Sequence, residues 1–169
     1  ADTVARGCVN ANLVGHDSHG VILIPSYVER IKVGHIVPGA PFQIIQESPS
    51  TTVIDGHWGF GFVVNERAMQ LTIEKAKTTN VAAATVYRQS HVGRLGAYPL
   101  MAAQAGMIGI ATADSGRSPK AVAPFGGRGA RLGTHRPVAG EDVRERVVVA
   151  APRQLERGAG AQRRVDERH

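Results

Sequence analysis

Residues 62–87 read FVVNERAMQLTIEKAKTTNVAAATVY, and the change of period inside them sets the fold class. Residues 62–78 carry helical spacing, with Val63, Ala68, Leu71, Ile73 and Ala76 available for one buried face. Residues 81–87 are a short apolar, β-branched run that predicts a strand. Upstream, residues 42–46 and 52–54 read as two β segments split by a turn at Ser48-Pro49-Ser50. Residues 1–13 look like the end of a helix, and either Asp17 or Ser18 caps a second one over 19–33, with Pro25 in its early turns and Gly34 as its stop. Downstream, residues 95–105 predict a helix and 107–112 a strand. Helices alternating with strands in this order predict an α/β or α+β domain.

Composition narrows the function classes. The chain has 169 residues, 43% of them apolar, which is one ordinary globular domain's worth. Its net charge of +6 raises nucleic acid as a partner, but the basic residues form no stripe with interleaved aromatics, so no nucleic-acid binding is expected. Apolar runs such as 81–85 and 108–113 fall far short of the roughly 20 residues that span a bilayer, so no membrane role is expected. Cys8 stands alone, which excludes an internal disulfide and a multi-cysteine zinc site and suits the cytoplasm. The chain starts at Ala1 without Met or an apolar signal core, and it reads as a fragment or a processed chain.

Two polar clusters can carry chemistry. Gly15-His16-Asp17-Ser18-His19-Gly20 packs two imidazoles, a carboxylate and a hydroxyl into a junction between loop and helix. The plain reading is a capped helix start with both imidazoles exposed; the functional reading is one histidine acting as acid and base, since imidazole titrates near neutral pH. His35 and His57 lie outside short ligand spacing, so no metal site is expected. The second cluster, Ser90-His91-Val92-Gly93-Arg94-Leu95-Gly96-Ala97-Tyr98, follows the 81–87 strand and opens a helix, the end of a strand where α/β folds gather ligands. Gly93 and Gly96 permit close backbone approach, and Arg94 offers a planar fork for a carboxylate, or is simply a solvated arginine. Gly56-His57-Trp58-Gly59-Phe60-Gly61 has the wrong spacing for a dinucleotide fingerprint and reads as a turn with close backbone packing.

Asn12-Leu13-Val14-Gly15-His16-Asp17-Ser18-His19-Gly20-Val21, followed by Ile24-Pro25 and Tyr27, resembles the signature of the malate/L-lactate dehydrogenase family, the non-Rossmann group that includes sulfolactate and ureidoglycolate dehydrogenases and diketogulonate reductases. The match continues through Gly34-His35-Ile36-Val37-Pro38, Asp55-Gly56, the 90–98 cluster, Ala123-Pro124-Phe125-Gly126-Gly127 and Arg131-Leu132-Gly133-Thr134. The resemblance implies the family's own α/β fold, incomplete here and not a doubly wound Rossmann domain. It implies an oxidoreductase that moves hydride between NAD or NADP and a small 2-hydroxy/2-oxo acid, working as a homodimer when full length. Under it His19 is the catalytic proton donor and acceptor, His91 flanks substrate or nicotinamide, and Arg94 contacts the substrate carboxylate. No assignment of cofactor-binding residues follows from it.

The resemblance departs at two points. Many members carry Arg three residues after the Ser-His-Gly glycine, where this chain has Leu23, which leaves the acid substrate open. Beyond Gly133-Thr134 the chain reads His135-Arg136-Pro137 and then an Arg/Ala/Gly/Val vocabulary without Lys, Ile or any Phe, Tyr or Trp. Residues 1–133 are therefore read as the amino-terminal part of the family domain, and 134–169 as a poorly ordered tail, such as a GC-rich gene read out of frame would give. The competing expectation is a catalytically silent fragment or binding module that keeps both histidine motifs without the cofactor half.

Overall fold

The computed structural model describes residues 1–113, 123 and 125–129; the 134–169 tail and most of the 123–134 motifs lie outside these residues. Helix α1 spans Asp2–Leu13 and α2 spans Ile24–Lys32, with two short 3-10 turns, Asp17–His19 and Val21–Leu23, between them. Strand β1 (Gln43–Glu47) turns into β2 (Thr51–Gly59), α3 (Gly61–Thr79) crosses over to β3 (Ala83–Gln89), and α4 (Ala97–Gln104) follows.

The sheet order is β1-β2-β3, with β1 antiparallel and β3 parallel to β2. The Ser48 hydroxyl makes the β1–β2 turn, accepting from the backbone N–H groups of Ser50 at 3.3 Å and Thr51 at 2.9 Å. The β2-α3-β3 crossover packs α3 on the sheet through Val64 and Ala68 against Ile54, Ala84 and Val86, all buried. A second cluster, Met69, Ile73, Val92, Tyr98 and Ala102, joins α3 to α4. A third, Cys8, Tyr27, Ile36 and Phe62, joins α1 and α2 to the start of α3. That third cluster fixes the site.

Several expectations are corrected. The second helix does not begin at residue 19: Asp17 and Ser18 make no cap, and Pro25 sits in the first turn of a helix that starts at Ile24. Ala68, Ile73 and Ala76 are buried on α3 as expected, whereas Val63 and Leu71 are only half-buried and Phe62, Val64 and Met69 take their place. Strand β2 runs on to Gly59, through residues read as a turn. The close packing there is real, since a Cβ on Gly56 would stand 3.0 Å from the Arg88 carbonyl. The change of direction is a bulge within β2, where the register slips between Asp55 and Gly59 and His57 and Trp58 take positive φ of 45° and 60°. Residues 107–112 form no strand; Met107 and Ala111 pack back on the α3–α4 cluster, and Gly109 lies so close to α4 that a Cβ would stand 2.8 Å from that of Ala102.

Candidate active site

Two loops bring the motif histidines together. The α1–α2 loop is shaped by Asn12, whose amide donates to Asp17 Oδ1 while its carbonyl oxygen accepts from the Val21 N–H at 2.9 Å. One side chain thus satisfies the carboxylate that sequence alone offered as a cap and one backbone donor of the next turn. Gly20 is required by this clasp, because a Cβ there would collide with the Asn12 amide. The 3-10 turn ends at His19, whose Nδ1 lies 3.0 Å from Ser18 Oγ.

The second loop leaves β3. Ser90 closes it onto β2, donating its N–H to the Gly59 carbonyl at 3.0 Å and its hydroxyl to the same oxygen at 2.9 Å. Beneath it, Asn65 of α3 donates to Gln89 Oε1 at 2.6 Å and to the Gly61 carbonyl at 2.9 Å, both side chains being fully buried. His91 then points inward, 6% exposed, with Nδ1 2.7 Å from the Tyr27 hydroxyl. Gly93 holds φ at +69° with Phe62 packed where a Cβ would be, so glycine is demanded twice there. Gly96 has ordinary helical φ and meets only the flexible end of Arg94.

The imidazole rings of His19 and His91 lie 5.3 Å apart between centroids, tilted by 36°. His16 stands edge-on to His19 at 4.4 Å. Burial, with the adjacent His16 second, holds the His19 imidazolium below its ordinary range.

Arg94 is not drawn into this pair. It lines a cavity of about 330 Å³ with Arg6, Asn10, Phe62, Glu66 and Tyr98, and neither His19 nor His91 lines it. Phe62 stands between the two places, packed edge-on against His91 at 6.1 Å. Arg94 Nε is buried there without an acceptor among the described residues. Leu23 is packed against the cluster of Cys8, Tyr27, Ile36 and Phe62.

The βαβ unit offers no phosphate cradle of the Rossmann kind. Gly61 at the start of α3 donates to Ser90 Oγ at 3.4 Å, and a Cβ there would strike the Ser90 carbonyl, so the helix end is sealed by the β3–α4 loop. No group of three or more potential metal-ligating side chains occurs among the described residues. No helix there is long and apolar enough to cross a membrane.

Comparison with known proteins decides the family. Residues 1–140 match the family model described as malate/L-lactate dehydrogenase. The chain belongs to the malate/L-lactate dehydrogenase family. The match runs past the composition break at Gly133. The L-sulfolactate dehydrogenase of Methanocaldococcus jannaschii is 41% identical over 127 residues, 75% of this chain and 36% of that protein. The malate dehydrogenase of Pyrococcus abyssi is 43% identical over 135 residues, 80% of this chain and 36% of that protein. Among solved structures, that of malate dehydrogenase from Pyrococcus horikoshii OT3 superposes with a TM-score of 0.70 at 36% identity, covering 86% of this chain and 42% of that one. The fold is therefore the family's α/β fold, incomplete here, as the motifs implied. The chain spans well under half the length of the relatives it matches.

Sequence reading singled out His19 and His91, and the structure brings them together. Asn12 and Tyr27 belong to the first motif but carry no role under it, and Phe62, Asn65 and Gln89 fall outside both clusters. The available signal is polarity out of place, since Asn65 falls on the buried face of α3.

Proposed function

We propose that the protein is a nicotinamide-dependent oxidoreductase acting on a small 2-hydroxy/2-oxo acid, with His19 as proton donor and acceptor. The observation that carries this is the approach of the His19 and His91 rings to 5.3 Å, made by the two motifs that define the family resemblance. A nicotinamide cofactor, NAD or NADP, supplies or accepts the hydride at the substrate carbon when bound. His19 supplies the proton that the oxygen needs on reduction and takes it back on oxidation. Its lowered proton affinity favours release of that proton to the developing alkoxide. His91, buried and anchored, holds the substrate beside it. Arg94 binds the carboxylate only if the acid reaches past Phe62 into the cavity that Arg94 lines.

The described residues suit the reacting end of such a cofactor, since half-buried His19 and buried His91 offer imidazole nitrogens near one another, while the sealed start of α3 gives its diphosphate no seat. The same reading places the enzyme in the cytoplasm, in keeping with a single free cysteine, and as a homodimer, in keeping with the exposed apolar residues Leu13, Val14, Ile22, Ile24 and Val28 beside the imidazole loop. The test is NADH or NADPH oxidation in the presence of pyruvate, oxaloacetate or sulfopyruvate, with and without His19.

The chain spans 36% of its sulfolactate dehydrogenase relative, and the second reading is that these residues by themselves act as a catalytically silent piece or binding module. Thermal stabilisation separates the two, since NADH at 100 times its dissociation constant stabilises a binding-competent fold by about 2.7 kcal/mol.

A further inference from the structure

Asn65 and Gln89 are amide residues with 0% and 1% exposure, one on α3 and the other closing β3. Asn65 places both amide protons inside the fold, one on Gln89 Oε1 at 2.6 Å and one on the Gly61 carbonyl at 2.9 Å. An apolar pair of similar size would fill the same space without desolvating two amides. What the amides add is direction, because their hydrogen bond ties a helix to the end of a strand in one register. Both tied ends lead to the site. Phe62, three residues before Asn65, packs edge-on to the His91 ring at 6.1 Å, and His91 lies two residues beyond Gln89. The helix start and this loop also touch, since a Cβ on Gly61 would collide with the Ser90 and His91 carbonyls.

We propose that Asn65 is a positioning residue that, through Gln89, sets where the loop after β3 presents the His91 imidazole. Tyr27 holds the ring at Nδ1, and a ring held at one atom still pivots about it. Its orientation needs the backbone end fixed as well. Ser90 fixes that end to β2, and the Asn65–Gln89 bond fixes it to α3, the element against which the ring packs. The inference rests on the 2-oxo acid reading only in its kinetic consequence, in which a misplaced His91 holds substrate less well while His19 still transfers the proton.

Asn65→Leu and Gln89→Met, made singly and together, separate positioning from packing. Each single change leaves one amide buried without its partner and lowers the urea midpoint; the double change removes both amides, so its midpoint recovers toward wild type. The His91 NMR signals are assigned by their loss in His91→Gln. Despite the recovered stability, the double variant is expected to keep displaced His91 ring resonances and weakened nuclear Overhauser contacts from that ring to His19, 5.3 Å away. In turnover it raises KM for a 2-oxo acid about tenfold, the size of one hydrogen bond, with kcat little changed. Wild-type His91 resonances and contacts in the double variant overturn the proposal, as does an unchanged KM in a double variant that turns over a 2-oxo acid. If the apolar variants fail to fold, Asn65→Ser decides by the same spectrum, because its hydroxyl reaches the Gly61 carbonyl four residues back but not Gln89. Absence of turnover with 2-oxo acids refutes the enzymatic reading and leaves the spectral result standing.

Discussion

Val21 donates its backbone N–H to Asn12 Oδ1 at 2.9 Å, and the same amide holds Asp17, so one side chain at the end of α1 sets the path of the loop that carries His19. Asn12→Ala removes both contacts. It is expected to cost about 1–2 kcal/mol, the net worth of two hydrogen bonds at a half-exposed position, seen as a lower urea midpoint at unchanged slope. Hydrogen exchange at the Val21 amide should accelerate by more than that global loss explains.

Gly20→Ala acts on the same clasp from the other side. The added methyl occupies the space of the Asn12 amide, so the amide is pushed off the Val21 N–H and the loop loses its clasp. The expected outcome is a folded protein with displaced His16 and His19 NMR resonances. Unmoved His19 resonances would show that the clasp does not position the imidazole.

How much of this was legible in sequence depends on which force decided each element. Helix α3 and strand β3 follow hydrophobic periodicity, which is local, and they appear within two residues of where it put them. The start of α2 was misplaced because Asp17 and Ser18 are good caps in isolation, whereas here Asp17 is claimed by Asn12 and Ser18 faces His19. Strand β2 runs longer than its sequence suggests because Gly56 and Gly59 read as turn residues, and only the packing of Arg88 and Gln89 against Gly56, and of Ala40 and Val64 against Gly59, shows why a strand carries glycine there. The meeting of His19 with His91 was implied by the resemblance, while its anchors, Tyr27 and Ser90, depend on tertiary contacts that no local window contains.

Asp55 gives a test of the scaffold. The residue is 1% exposed, and its carboxylate receives the Arg88 guanidinium and accepts the His57 N–H at 2.9 Å. Burial alone would push the carboxyl up; the Arg88 and His57 hydrogen bonds outweigh it and hold it below its usual range. A depressed carboxylate contributes stability above its unfolded value of about 3.9 and loses it as pH falls through the lower folded value. Asp55→Asn should therefore lower stability at pH 7 by about 3 kcal/mol or less, the low end for a broken buried pair, because the Arg88 side chain is 41% exposed and takes up water once released. The gap between wild type and variant, followed by urea unfolding, should close as pH drops below 4.

His16 tunes His19. Burial and the neighbouring His16 both disfavour the His19 imidazolium, so His16→Asn should raise the His19 titration midpoint while burial keeps it below the ordinary imidazole value of about 6.5. Reduction needs the protonated ring, so kcat/KM for a 2-oxo acid should fall as pH rises through that midpoint, and the falling limb should move to higher pH in His16→Asn. An NMR titration in which His19 does not respond to His16→Asn would remove the electrostatic link.

The most direct measurement is steady-state reduction of a 2-oxo acid by NADH or NADPH, comparing His19→Ala with His16→Ala, each shown by circular dichroism to be folded. The account predicts that His19→Ala loses about 10²- to 10⁴-fold, the usual weight of general acid catalysis, in kcat and kcat/KM together, and that His16→Ala loses far less. Equal damage from both substitutions, or wild-type turnover without His19, would contradict it.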